Sequence, residues 1–354
     1  MSRNVISPEA LERALSLRDL SDPAQGPHAI QLLLTAIVSA LEREWGCEVR
    51  WRRASPIVTV ADNYDALGYP PDGAARDERY TRYVTEHTLL RTQTSAMVPP
   101  LLRALSPGAD VLLVCPGLVY RRDSIDRLHT GEPHQADLWR LGAGTLEQMI
   151  SAVVGAVLPG REWRTTPAHH PYTREGLQLD VREHDHWVEI GECGLVNLPG
   201  ARGLAMGLGL DRLLMLRKGL PDIRLLRSSD PRIAKQMLDL EPWRPVSKMP
   251  EVVRDLSLAM SEVSIEVIGD RVREALAESA SLVESLEVLS VTAAADLPPV
   301  ARSRLGMTLQ QQNVLLRLVL RAVDRSLTHA ECNELRDRVY AALHEGTQWN
   351  WAAR

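Results

Sequence analysis

The segment Gly117–Leu141, GLVYRRDSIDRLHTGEPHQADLWRL, narrows the folds open to this chain more than any other stretch. An apolar run, Val111–Val114, breaks at Pro116-Gly117, resumes at Leu118–Tyr120 and delivers two adjacent arginines, Arg121 and Arg122. A charged loop rich in turn formers and histidine leads to a return run, His134–Leu141. Strand, loop, strand predicts a hairpin. An arginine at the end of a buried strand is costly unless it meets an anion. A carboxylate or phosphate ligand held by bidentate hydrogen bonds would supply one. A neighbouring acid, Asp123 or Asp126, would supply one equally well.

A second segment, Gly203–Arg224, reads GLAMGLGLDRLLMLRKGLPDIR. Gly203, Gly207 and Gly209 stand in an apolar run, so backbone there comes close to packed chain or to a ligand. Asp211–Lys218 has helical spacing of its leucines. Arg212 opens that helix, where the dipole disfavours a cation. A bound nucleotide accounts for both the glycines and the arginine, whereas close strand–helix packing accounts for the glycines alone.

Together the two segments resemble motifs 2 and 3 of class II aminoacyl-tRNA synthetases, of the phenylalanyl-tRNA synthetase family. The pattern V-[YF]-R-x-[DE]…H…F-H-Q-x-E-G is met by Val119-Tyr120-Arg121-Arg122-Asp123, then His129, then Pro133-His134-Gln135-Ala136-Asp137-Leu138. The pattern G-x-A-F-G-x-G-x-[ED]-R is met by Gly203 to Arg212, with Ala205, Gly207, Gly209 and Asp211 in place. Further matches follow at Asn63-Tyr64-Asp65-Ala66-Leu67 (N-[FY]-D-x-L), at Leu89–Ser95 (L-L-R-T-H-T-S, with Gln93 for histidine) and at Trp187–Gly191 (W-[LV]-E-[IL]-x-G). Arg254-Asp255-Leu256-Ser257 and Asp324–Thr328 resemble signatures of that family's anticodon-binding domain.

The resemblance implies an α+β fold: an antiparallel sheet with flanking helices over residues 1–239, a Pro-rich linker at 240–250, and a ferredoxin-like βαββαβ domain over 251–354. This is the single-chain, organelle-type arrangement, without an editing domain. The implied activity is ATP-dependent formation of an aminoacyl-adenylate, followed by transfer to tRNA through the C-terminal domain. Carried over residue by residue, Arg121 neutralises the α-phosphate, Arg212 lies by the adenine and γ-phosphate, and Glu189 holds Mg2+ against the phosphates. His129, Pro133, Gly207 and Gly209 fall at the ATP site. Ser95, Gln93, Gln135, Asp137, His170, Tyr172 and Ala205 fall at the amino-acid site. The resemblance is compatible with a monomer or a homodimer.

The departures gather in the amino-acid site. Asp137 stands for a glutamate that binds the ammonium, Leu138 for a glycine, Pro133 for the phenyl that stacks on adenine, and His170 and Tyr172 for two pocket phenylalanines. Apolar walls thereby gain polar handles, which implies an amino acid smaller or more polar than phenylalanine. A paralogue that adenylates such an amino acid and passes it to a non-tRNA acceptor is the second reading. A non-catalytic RNA-binding homologue is the third, and retention of Arg121, Arg212 and Glu189 speaks against it.

Plainer readings stand beside several of these assignments. Glu189 could be an exposed strand carboxylate, Thr94 and Ser95 a helix N-cap, and Thr328 with Glu331 a capping box. Tandem histidines, His169 and His170, cannot both face one metal from a strand.

Composition sets outer bounds. With 354 residues, 45% hydrophobic, the chain can form two cored domains. The net charge of −5 gives no global basic signature, so nucleic-acid contact would be local. Cys47, Cys115, Cys193 and Cys332 are far apart, which fits a reducing compartment, and no secretory signal or membrane-spanning run precedes them; the expectation is a cytoplasmic protein. Phenylalanine is absent altogether, where about a dozen would be usual.

Overall fold

The computed structural model describes residues 5–77, 80–106, 108–121, 126–246 and 249–349. Contacts divide the chain into two compact units. The first holds Met1–Arg121, Glu132–Pro221 and Lys235–Trp243; the second holds Arg122–Gly131, Asp222–Ala234 and Arg244–Arg354.

The first unit contains helix α1 (Pro8–Ser16), α2 (Ala29–Trp45), strand β1 (Glu48–Trp51), β2 (Ile57–Thr59), α3 (Val60–Asn63), β3 (Thr88–Leu90), α4 (Val98–Ala104), β4 (Val111–Leu118), β5 (His134–Leu141), α5 (Leu146–Val157), β6 (Trp163–Pro167), β7 (Thr173–Glu183), β8 (His186–Val196), β9 (Gly203–Gly209) and α6 (Leu210–Lys218). Helix ends follow local chemistry. Ser7 caps α1, Thr145 and Gln148 form a capping box at α5, and α2 stops at Gly46, whose φ of 60° suits only glycine well.

Seven strands form one sheet in the order β1-β4-β5-β9-β8-β7-β6, antiparallel except for the β1–β4 pair. Helices α2, α5 and α6 pack together, and α5 and α6 also contact the central strands. The expected α+β architecture, with an antiparallel sheet and flanking helices, is present.

The hairpin forms as β4 and β5, paired from Val111↔Leu141 to Leu118↔His134. The expected break at Pro116-Gly117 does not occur: β4 runs unbroken to Leu118. The reason lies in the partner on its other side. Val114 O accepts from Arg52 N at 2.8 Å, just past the end of β1, so Pro116, two residues on, turns its missing N–H to a side where β1 has already stopped. The carbonyl of Leu118, on that same side, is met by a buried side chain instead. Arg91 Nε donates to it at 2.6 Å, and Arg91 Nη1 donates to Ala54 O at 3.2 Å.

The second unit contains α7 (Pro231–Ala234), β10 (Val252–Met260), α8 (Ile265–Leu276), β11 (Val283–Ala293), α9 (Pro299–Leu305), β12 (Gln312–Leu320) and α10 (His329–Leu343). Its sheet is antiparallel in the order β10-β12-β11. Leu256, Leu258, Leu316 and Leu318 from the strands bury against Ile268 and Val272 of α8 and Leu335 and Val339 of α10. Thr328 and Glu331 form the capping box of α10.

The described residues thus hold three strands of the expected βαββαβ unit and both its helices, with α9 added between β11 and β12. The fourth strand, expected near Gln348–Trp351, is not formed at Gln348–Trp349, and Asn350 and Trp351 lie outside the described residues. Glu345 N does donate to Ala259 O on the open edge of β10, but the chain then turns away, Thr347 N donating to Gly306 O at 3.1 Å.

Candidate active site

Directly opposed residues of an antiparallel sheet project from the same face. Register therefore sets out one transverse row: Cys115 on β4, Asp137 on β5, Gly207 on β9, Glu192 on β8 and Gln178 on β7. Gln135 and Gly209, opposed to each other, lie two residues along on the same face. The middle of this face has no side chain at Gly207 or Gly209, so a ligand can approach the backbone there.

Asp137 is the most tightly held group. It is 1% exposed, and its carboxylate accepts from Thr94 Oγ1 at 2.7 Å, Ser95 Oγ at 2.7 Å and Trp139 Nε1 at 3.3 Å. Burial pushes its pKa up, and the three donors oppose that shift. Among the described residues it forms no ion pair. The reading of Thr94 and Ser95 as a helix N-cap is overturned: Thr94–Met97 is a 3-10 turn, Met97 precedes α4 without a side-chain cap, and both hydroxyls go to Asp137.

Thr92 to Ser95 are held from below. Thr92 N donates to Asn63 Oδ1 at 3.2 Å, Asn63 Nδ2 to Thr92 Oγ1 at 2.9 Å, and Gln93 Nε2 to Asn63 O at 3.0 Å. Gln135 Oε1 accepts from Thr94 N at 3.2 Å and from Arg121 Nη2 at 3.4 Å, and Arg121 Nε donates to Thr92 O at 2.8 Å. Arg121 is exposed and, among the described residues, in no ion pair. Asp126 instead binds His129 and Leu128 N, while Arg122 and Asp123 lie outside the described residues.

Arg212, in the first turn of α6, meets Glu189: Nη1 lies 3.2 Å from Glu189 O and 3.5 Å from Glu189 Oε2. The charge that looked out of place at a helix start is therefore compensated within the protein. Both arginines lie at the Gln135–Gly209 end of the central strands, Arg121 through its bond to Gln135 and Arg212 three residues beyond Gly209. His129 groups with the second unit, and Pro133 precedes β5, its carbonyl accepting from Val119 N at 2.9 Å.

At the other side of Asp137 stands an aromatic stack. Tyr172 lies between Trp139, with ring centroids 5.7 Å apart at 19°, and His170, at 5.3 Å and 25°. Such pairs each contribute about 1 kcal/mol beyond area burial. Tyr172 OH lies 3.5 Å from Ser95 Oγ, and Ala205 is buried in the same cluster. His170 Nε2 is in a short ion pair with Glu192, and Nδ1 lies 3.5 Å from Tyr69 OH, which donates to Gln93 Oε1 at 3.2 Å. The Glu192 bond raises the pKa of His170, and burial pushes Tyr69 up to about 12.

Register, hydrogen bonds and ring contacts bring Ser95, Gln93, Gln135, Asp137, His170, Tyr172, Ala205 and Gly207 into one cluster. Sequence reasoning missed Thr94, Tyr69 and Glu192. For Glu192 the signal was present: in W-[LV]-E-[IL]-x-G, the final glycine falls on Glu192.

The family described as "tRNA synthetases class II core domain (F)" matches residues 23–237. The chain is 29% identical over 340 residues to "Phenylalanine--tRNA ligase, chloroplastic/mitochondrial" of Arabidopsis thaliana, covering 88% of this chain and 75% of that protein. It is 27% identical over 365 residues to "Probable phenylalanine--tRNA ligase, mitochondrial" of Drosophila melanogaster, covering 81% and 76%. To "Phenylalanine--tRNA ligase alpha subunit" of Prochlorococcus marinus (strain NATL2A) it is 34% identical over 189 residues, 49% of this chain and 56% of that subunit. Among solved structures, pyrrolysyl-tRNA synthetase from Desulfitobacterium hafniense aligns over 62% of this chain and 78% of that one, with a TM-score of 0.44 and 18% identity.

Proposed function

The chain belongs to the class II tRNA synthetase core family, and we propose that it works as an ATP-dependent aminoacyl-tRNA ligase of phenylalanyl type. The observation that carries this reading is Asp137: a buried carboxylate with three donors and, among the described residues, no ion-pair partner, on a face left bare by Gly207. A substrate ammonium supplies the missing charge. The substrate carboxylate then extends toward Gln135 and Arg121. Its oxygen attacks the α-phosphorus of ATP, pyrophosphate leaves, and a ribose hydroxyl of tRNA later displaces AMP from the acyl carbon.

No covalent nucleophile is needed; positioning and charge neutralisation do the work. Arg121, whose donors reach only neutral oxygens among the described residues, is available for the α-phosphate. Arg212 serves the adenine and γ-phosphate side, and Gly207 and Gly209 leave room for the nucleotide. Glu189, a half-exposed carboxylate, fits a Mg2+ that takes its other ligands from phosphate and water. When bound, that ion draws charge from the phosphates.

On the family pattern alone, His129 and Pro133 are proposed as nucleotide-binding residues, and residues 251–354, beyond a 240–250 linker, as the tRNA-binding domain. No described helix is long and apolar enough to cross a membrane. Two relatives carry organellar names, and four unpaired cysteines fit a reducing interior, cytoplasmic or organellar.

The His170–Glu192 pair favours a second reading, a paralogue that adenylates an amino acid other than phenylalanine and passes it to a non-tRNA acceptor. An ATP–pyrophosphate exchange screen over amino acids, followed by charging of total tRNA, separates the two. Exchange with charging supports the ligase; exchange without charging selects the paralogue; neither removes both.

A further inference from the structure

We propose that Glu192 is the specificity-determining residue of the amino-acid pocket, and that it selects a small side chain ending in a neutral hydrogen-bond donor, a hydroxyl or carboxamide, over a phenyl ring. This rests on the adenylating reading above.

Three observations carry it. First, Asp137 and Glu192 lie in one transverse row with only Gly207 between them. Two strand spacings separate their Cα atoms by about 10 Å. Carboxylates projecting side by side from that face lie on the order of that distance apart, and allowing ~3 Å for a hydrogen bond at each end leaves roughly 4 Å from the ammonium to the side-chain donor. That matches a side chain of a few non-hydrogen atoms rather than an aromatic ring.

Second, Glu192 is held by one oxygen and open at the other. Oε2 is taken by His170, whereas Oε1 has no hydrogen-bond partner among the described residues, and the side chain is 32% exposed. His170 itself is spent: Nε2 faces Glu192 and Nδ1 faces Tyr69 OH.

Third, His170 neutralises Glu192, its affinity for a proton raised by that bond. The pair presents an acceptor without net charge, which favours a neutral donor over a cationic side chain. The two carboxylates are flanked by rings already stacked on one another: Trp139 bonds Asp137, His170 bonds Glu192, and Tyr172 lies between those rings. A phenyl ring would also leave Oε1 without a donor, and a polar group left unpaired in a pocket discriminates strongly.

The test is ATP–pyrophosphate exchange with each proteinogenic amino acid, beside thermal-shift binding of the same panel, on wild type, Glu192→Gln and the double variant His170→Phe/Glu192→Gly. Wild type is expected to prefer a small polar amino acid over phenylalanine by ~10²-fold or more in kcat/KM. Glu192→Gln lowers that amino acid's kcat/KM by about 10- to 100-fold with a melting temperature near wild type, and the double variant shifts the ranking toward phenylalanine. Wild-type preference for phenylalanine, or a ranking that Glu192→Gln leaves unchanged, overturns the inference while leaving the ligase intact. Absence of exchange with every amino acid overturns the adenylating reading. In that event the thermal-shift ranking still decides about Glu192: a polar preference that disappears in Glu192→Gln supports it, and no such preference overturns it.

Discussion

His134 and Asp211 are joined by two hydrogen bonds in the interior: His134 N donates to Asp211 Oδ2 at 2.5 Å, and the ring Nδ1 to Oδ1 at 2.9 Å. The far ring nitrogen, Nε2, accepts from Leu20 N at 3.0 Å, so the proton resides on Nδ1. The bridge ties the start of β5, which carries Gln135 and Asp137, to the start of α6, which carries Arg212. Replacing Asp211 by alanine strands two buried donors. Charge-assisted bonds of this type are worth about 1.5–3 kcal/mol each, so urea unfolding is expected to show a loss of about 3 kcal/mol. The KM for ATP should rise as well, because α6 loses its tether. A variant as stable as wild type would show that the bridge holds nothing in place.

Asp137 links stability to pH with a definite sign. Its folded-state pKa is raised, so in the window just above the ordinary carboxylate range the folded chain keeps a proton that the unfolded chain has released. Stability therefore falls as pH rises through that window and is then level. Asp137→Asn removes this component, and its unfolding midpoint relative to wild type should climb across the window. Amino-acid binding has the opposite trend: KM should rise as pH falls and the carboxylate protonates. Parallel stability curves for the two proteins would refute the assignment.

Two glycines a strand apart should respond differently to alanine. A Cβ on Gly191 would collide with the Gly207 carbonyl oxygen, which is backbone and cannot yield. Gly191→Ala should cost about 2 kcal/mol or more in denaturant unfolding. A Cβ on Gly207 would meet side-chain ends, Gln135 Nε2 at 3.2 Å and the Asp137 carboxylate at 3.9 Å. Gly207→Ala is expected to fold with a midpoint close to wild type and to lose most of its exchange activity, as the methyl occupies the bare floor beside Asp137.

Arg121→Ala should lower kcat/KM for exchange by ~10²–10³-fold, the usual effect of removing one preorganised donor to developing charge. Its melting temperature should stay near wild type, because the side chain is exposed and its bonds go to Thr92 O and the Gln135 amide. Arg121→Lys is not expected to restore activity, since an ammonium cannot reproduce the planar fork. Full activity in either variant would place the charge-neutralising group elsewhere.

Thr328→Ala breaks the capping box in which Thr328 Oγ1 accepts from Glu331 N at 3.2 Å and Glu331 Oε2 accepts from Thr328 N at 2.8 Å. A loss of about 1 kcal/mol is expected on unfolding. Exchange without tRNA should be unaffected. If charging falls while stability holds, Thr328 acts in RNA contact and not only as a cap.

Much of this arrangement was legible in the sequence, for physical reasons that differ by element. The hairpin and α2, α5 and α10 announce themselves through apolar periodicity and capping residues, which are local signals. The ordered spacing of Arg121, Gln135, Asp137, Gly207 and Arg212 identifies the family because backbone approach and charge must recur together. What failed depends on partners distant in the chain. Pro116 reads as a break until β1 is seen to have stopped beside it, and the plainer reading of Ser95 as a cap stands until its hydroxyl is seen to meet Asp137. Glu192 stands where the family pattern has glycine, but its partner shows only when His170, 22 residues earlier, closes on it. The absence of phenylalanine is shown by the sequence, and nothing in the fold accounts for it.

Arg91 gives the site a lever with a distant fulcrum. Its guanidinium substitutes for the strand that β4 lacks beyond Val114, and the next four residues, Thr92 to Ser95, supply the contacts around Arg121, Gln135 and Asp137. Sheet termination and the contacts around Asp137 are thus fastened at a single peptide. A chain that lengthened β1 by two residues would evict the guanidinium, and the hydroxyls that hold Asp137 would drift with it; the short first strand is a requirement of that arrangement, not a frayed edge.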